Sequence, residues 1–110
     1  MEHQIIIDLN QYKNLNEGMS RGQMIKFGAQ IKQMLYYMFG NPGESFSSFL
    51  VRGNGNDVKA FGAALAAEKR YMDSYLRNGL NDPKVLDNRY RLDTAVQRFE
   101  SETGIKWPFK

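Results

Sequence analysis

Residues 57–77, DVKAFGAALAAEKRYMDSYLR, decide the fold class. Ala60, Ala63, Ala64, Leu65, Ala66, Ala67, Glu68, Lys69 and Arg70 are strong helix formers. Asp57 is the expected N-cap, because its carboxylate can accept from an unpaired first-turn amide. Gly79 suits the positive-φ residue that ends many helices. At about 100° per residue, Val58, Phe61, Leu65, Met72 and Leu76 share an arc of about 60°, which Ala64, Tyr71 and Tyr75 widen on one side. Alanines fill much of the remainder, so helices can approach from more than one direction. A helix of this kind belongs at the centre of an all-α domain.

Glu68 falls inside the widened apolar arc, between the Phe61 and Tyr75 directions. A carboxylate there needs water or a partner. The first reading is that it reaches solvent at the edge of the arc. The second is a partly buried ion pair with Arg89, the matching misfit beside the apolar face of the last helix. No second carboxylate or base stands beside Glu68 by local spacing, so it is not assigned as a catalytic acid.

Outward from the centre, Asn81-Asp82-Pro83 reads as a helix start, with Asp82 the cap and Pro83 at the first helical position. The last helix is expected over 83–102, with Val85, Leu92, Ala95, Val96 and Phe99 on one face and Gly104 as its stop. The tail 105–110 is unusually apolar. On the N-terminal side a helix is expected over 20–39, capped by Ser20. Met24, Phe27, Gly28, Ile31, Met34, Leu35, Met38 and Phe39 face the core, and Gly40-Asn41-Pro42-Gly43 end the helix. Gly28 inside it points to close approach by another backbone. Residues 1–18 read as an arm and loop; Ile5-Ile6-Ile7 favour extended backbone, laid on the bundle or forming half of a two-stranded ribbon. Residues 45–51 are ambiguous between strand and helix and are read as a short helix capped by Ser45. The expected architecture is one domain over 1–110: a small bundle of three main helices, 20–39, 57–78 and 83–102, with a short extra helix and an extended N-terminal arm.

Composition narrows the chemistry. The 110 residues include no Cys, which excludes disulfides, thiol catalysis and Cys-based zinc sites. The single His3 stands beside the N-terminus, which argues against a His-based metal site or a Ser-His-Asp relay. The loop Arg52-Gly-Asn-Gly-Asn-Asp57 lacks phosphate-loop spacing and reads as a connector. No catalytic residue, cofactor or metal is expected, and the chain is not expected to be an enzyme. No apolar run reaches membrane-span length and no signal-peptide layout opens the chain, so a cytoplasmic location is the default.

Two surface features remain. Tyr36, Tyr71, Tyr75, Leu86, Tyr90, Trp107 and Phe109 exceed what so small a core absorbs. They are candidates for a protein interface, with a partner or a second copy, since aromatic residues concentrate at such interfaces. For Trp107 and Phe109 the leading expectation is that the tail folds back and plugs the bundle, with an exposed docking tail or a homodimer contact as the alternative. The second feature is basic: Lys59, Arg70 and Arg77 project to one side of the central helix, and Lys84, Arg91 and Arg98 to one side of the last. Aligned cations can track a phosphate backbone, although Asp73, Asp87 and Glu102 at i,i+4 spacing are also the ordinary dressing of a solvated face. The leading expectation is a non-enzymatic interaction module, an adaptor, inhibitor or regulator of the kind carried by phages or mobile elements. The alternative is a nucleic-acid-binding accessory protein.

Overall fold

A computed structural model describes residues 6–13, 19–40 and 49–109. In chain order these form β1 (Ile6–Asp8), a 3-10 turn (Leu9–Gln11), α1 (Arg21–Gly40), β2 (Leu50–Arg52), α2 (Gly55–Asn78) and α3 (Pro83–Thr103). The architecture is a small all-α bundle. Local chemistry sets its helix ends. Ser20 Oγ accepts from the Gln23 amide at 3.1 Å while Gln23 Oε1 accepts from the Ser20 amide at 2.9 Å, a reciprocal cap at the start of α1. Asp82 caps α3 through the Lys84 amide at 2.8 Å, and Gly104 closes that helix in the left-handed region, at φ 75°.

The start of α2 differs from expectation. Its cap is Asn54, whose side chain accepts from the Asp57 amide at 2.9 Å. Asp57 lies inside the first turn, is buried, and forms an ion pair with Lys13. The carboxylate remains beside the positive helix terminus, but it ties the N-terminal segment to α2 rather than capping it. Tyr12 adds a second tie, its hydroxyl donating to Gln30 Oε1 at 2.6 Å and its ring standing 4.7 Å from Phe27.

The short helix expected over 45–51 is not what forms where the chain is described. Leu50–Arg52 is a strand, paired in parallel with β1 in the register Ile6↔Leu50, Ile7↔Val51 and Asp8↔Arg52. Residues 45–48, with the expected cap Ser45, lie outside the described residues. β-Branched Ile6, Ile7 and Val51 suit this pairing, and α1 supplies the crossover that parallel strands need. Ile7 is fully buried while Ile6 is exposed, the alternation of a strand with one face on the core.

α2 and α3 form a closely packed antiparallel hairpin, and the side of α2 that meets the core combines Phe61 and Leu65 of the large-residue stripe with the alanines beside it. Its buried positions are Asp57, Ala60, Phe61, Ala64, Leu65, Ala67, Glu68 and Ser74. Their mean direction lies roughly 90° round the helix from the stripe Val58–Leu76. Alanine permits close helix approach, so the alanine side turns inward. Val58 and Met72 become edge positions, and Leu76 is 68% exposed on the last turn.

Phe27 of α1, Phe61 of α2, Phe99 of α3 and Trp107 of the tail make one aromatic cluster, with ring centroids 5.4–6.2 Å apart. Gly28 seats the tail: a Cβ there would stand 3.4 Å from Cβ of Pro108. Phe27 is the one member of this cluster contributed by α1, so Phe27→Ala is expected to cost about 3–5 kcal/mol. Urea denaturation followed by circular dichroism measures it.

Candidate functional site

The two basic stripes share one face of the hairpin. Taking Lys59 as the origin on α2, Arg70 lies about 20° and Arg77 about 0° away; from Lys84 on α3, Arg91 lies about 20° and Arg98 about 40° away. A groove along the α2–α3 seam fixes which way these directions point. Ala63, Asp87, Tyr90, Arg91, Thr94, Ala95 and Arg98 line one stretch of it, and Asn56, Lys59, Ala60, Ala63, Arg98 and Glu102 line the next. The stretches, about 420 and 250 Å³, meet at Ala63 and Arg98. In the antiparallel register that places Ala63 opposite Arg98, Arg70 stands opposite Arg91, and Arg77 opposite Lys84. All six cations are exposed.

Three acids share the face. Asp73 pairs with Arg77 at 3.4 Å and Asp87 with Arg91 at 2.9 Å, both one helical turn apart. Glu102 lines the groove, but the described ion pairs do not include the expected Arg98–Glu102. Lys69, one turn before Asp73 on α2, places its ammonium 5.2 Å above the Phe39 ring. Six cations against three acids is a surplus equal to the formal net charge of the whole chain, +3. Tyr90, 71% exposed, stands at the edge of the groove next to Arg91.

The aromatic candidates are not gathered in this way. Tyr36 is exposed on α1, and Leu86 and Tyr90 are exposed one turn apart on α3. Tyr71 and Tyr75 are half-buried and lean on each other at 5.5 Å. Trp107 is only 2% exposed, which removes it as an interface residue, and Phe109 is half-buried against it at 6.2 Å. The tail folds back because Ile105 and Trp107 are too apolar to leave in water and their polar atoms find partners. The Trp107 amide donates to Glu100 Oε2 at 2.8 Å, and the Ile105 amide donates to Thr103 Oγ1 at 3.0 Å.

The same indole corrects the expected Glu68–Arg89 ion pair. Glu68 is 6% exposed, and its Oε1 accepts from Trp107 Nε1 at 2.9 Å. Arg89 stays at the surface, its guanidinium 3.4 Å from Asp93 and 5.6 Å from the Tyr71 ring centroid. Spacing within α2 and α3 could not show this, because the partner comes from the tail, 39 residues away. Burial raises the Glu68 carboxyl above its ordinary value of 4.5; the indole bond and the nearby positive charge of Arg89 offset part of that rise.

No family model, curated protein or solved structure matches this chain. No described helix is long and apolar enough to cross a membrane.

The Glu68 arrangement makes a stability prediction with a defined sign. A folded-state value above 4.5 means that the folded chain holds this proton more tightly than the unfolded chain. The resulting stabilisation is complete below 4.5 and is lost as pH rises through the folded-state value. In Glu68→Gln the amide oxygen still accepts from the indole and no charge is buried. The variant is therefore expected to gain on the parent between pH 4.5 and neutrality, and to lie within about 1 kcal/mol of it at neutral pH. Glu68→Leu strands the indole N–H and is expected to cost about 1–3 kcal/mol. Urea denaturation of the three chains across that range tests both statements.

Proposed function

We propose that the protein is a nucleic-acid-binding accessory protein whose contact surface is the basic face of the α2–α3 hairpin. What supports this is that Lys59, Arg91 and Arg98 line the α2–α3 groove, and that helical spacing sets the exposed Arg70, Arg77 and Lys84 on the same sides of their helices. Cations seven residues apart on one helix rise about 10.5 Å per step, so each row presents a ladder of charge rather than a point. Neutralising phosphates along such a ladder releases condensed counterions, which drives sequence-independent binding. Tyr90 beside Arg91 offers a base a stacking partner on a single strand. Asp73 and Asp87 hold Arg77 and Arg91 extended at the surface, and each pair is weak enough for a phosphate to displace the acid.

A second reading, a protein-interaction module, has its own support. Leu86 and Tyr90 form an exposed apolar step on α3, and Ala63 and Ala95 in the adjoining groove are small enough to admit another helix.

Fluorescence anisotropy with labelled single-stranded and duplex oligonucleotides separates the readings. Backbone binding predicts that log affinity falls linearly with log salt, with a slope of about −3 to −5. Lys84→Ala should flatten that slope by about 1. Arg70→Glu with Arg91→Glu, opposed across the seam, should abolish binding, and Tyr36→Ala should change nothing. Tyr90→Ala should weaken the single strand more than the duplex. Absence of binding at low salt would overturn the nucleic-acid reading and leave the apolar step of α3 as the surface to pursue.

A further inference from the structure

On the opposite side of the hairpin from the basic face, a cavity of about 470 Å³ opens between α2 and α3. Its polar wall is Glu68, Asp93 and Arg89; its apolar wall is Leu92, Val96 and Phe109, with Tyr71 between them. Glu68 Oε1 is taken by the Trp107 indole; no described hydrogen bond reaches Oε2, and it is not a fully buried unpartnered atom, so it opens to the space of the cavity. A carboxylate accepts through both oxygens, so one nine-tenths buried on a cavity wall with an oxygen to spare is a preformed acceptor for a donor inside the cavity. Two acids against one cation leave the wall with a charge of −1. Arg89 already shows what the mouth selects: its guanidinium lies over the Tyr71 ring and against Asp93, a cation held by an aromatic face and a carboxylate together.

We propose that this cavity is a binding site for a small organic amine. The protonated ammonium donates to Glu68 Oε2, and a compact apolar body fills the space between Leu92, Val96 and Phe109. The site stands independently of the nucleic-acid reading, since the groove and the cavity share no lining residue. An anionic ligand is disfavoured by Glu68, and a bare metal ion by the apolar wall.

Trp107, the only tryptophan in the chain, is bonded to Glu68 and therefore reports on this site. The experiment is titration of the intact protein at neutral pH with cyclohexylamine and with its uncharged counterpart cyclohexanol, read as Trp107 emission. The expected result is a saturable change with cyclohexylamine, half-complete at millimolar concentration as suits so few atoms, and none with cyclohexanol. Glu68→Gln keeps an acceptor for the indole and should weaken the amine at least tenfold. Asp93→Asn, at a solvent-exposed position that leaves the core untouched, should weaken it about threefold. Equal responses to amine and alcohol would overturn the proposal and show a merely apolar cavity. So would a response that does not saturate, or one that Glu68→Gln leaves unchanged. Should Glu68→Gln fail to fold, Asp93→Asn decides alone, and unchanged affinity there overturns the proposal.

Discussion

The bond from the Trp107 indole to Glu68 is the constraint around which the other choices in the fold arrange themselves. A carboxylate in the middle of a buried helix face is costly without a donor. No neighbour on α2 or α3 supplies one at bonding distance, so the donor must come from elsewhere in the chain. The tail brings it. Once the indole N–H is committed, the ring occupies the space between Phe27, Phe61 and Phe99 and joins all three helices. The next residue, Pro108, then passes close to α1, 3.4 Å from where a Cβ at Gly28 would stand. One polar atom thus anchors residues 105–109 of the tail against the bundle.

The second determinant is the choice of α2's inward side. Large side chains and alanines compete for the core, and the alanines win the position facing α3. Burying a large residue gains more area per residue. A close-packed hairpin, however, brings two whole helices into contact and leaves Phe61 and Leu65 free to meet α1. Turning the alanine side inward also brings Lys59 to the seam with α3, where Arg91 and Arg98 line the groove, and by helical spacing leaves Arg70 and Arg77 on the same side of α2 as Lys59. The concentration of charge is therefore a by-product of packing as much as a feature of the surface. The same rotation carries Glu68 from the edge of the apolar arc to its middle.

What could be read in the sequence was mostly local. Ser20, Asp82, Pro83 and Gly104 act within one turn of themselves, so their chemistry is complete in a short window. The inward face of α1 is legible because Phe27, Ile31, Met34, Leu35 and Met38 make the larger apolar stripe, against which the exposed Ile25 and Tyr36 are a minor flank. Asp57 was misplaced by a local ambiguity: Asn54 is as good a cap, and the deciding partner, Lys13, is distant in sequence. The strand at Leu50–Arg52 was missed because three residues carry too little periodicity to separate strand from helix, and the pairing that settles it lies 44 residues away in β1. Glu68 reads as a misfit from spacing alone, but spacing offers it partners only on α3 and says nothing of the path of the tail that supplies the indole. The six cations of the candidate site were identified individually, and their convergence was hidden until the register of the hairpin was known.

Net charge illustrates why convergence matters more than totals. Averaged over the surface, +3 is too small to steer a polyanion. Placed along one seam, the same surplus acts within about one Debye length at physiological salt, because facing helices pack 8–10 Å apart and that length is about 8 Å. The far side of the hairpin repeats the principle with opposite sign, where Glu68 and Asp93 outweigh Arg89 around a partly enclosed space. Field lines there pass through apolar walls rather than water, so a single uncompensated charge counts for more than it would on an open surface. The hairpin therefore presents two electrostatically distinct surfaces back to back, separated by its alanine seam and the buried aromatic cluster. A ligand that draws on Glu68 would alter the donor–acceptor bond that holds the tail, and through it the packing beneath both helices.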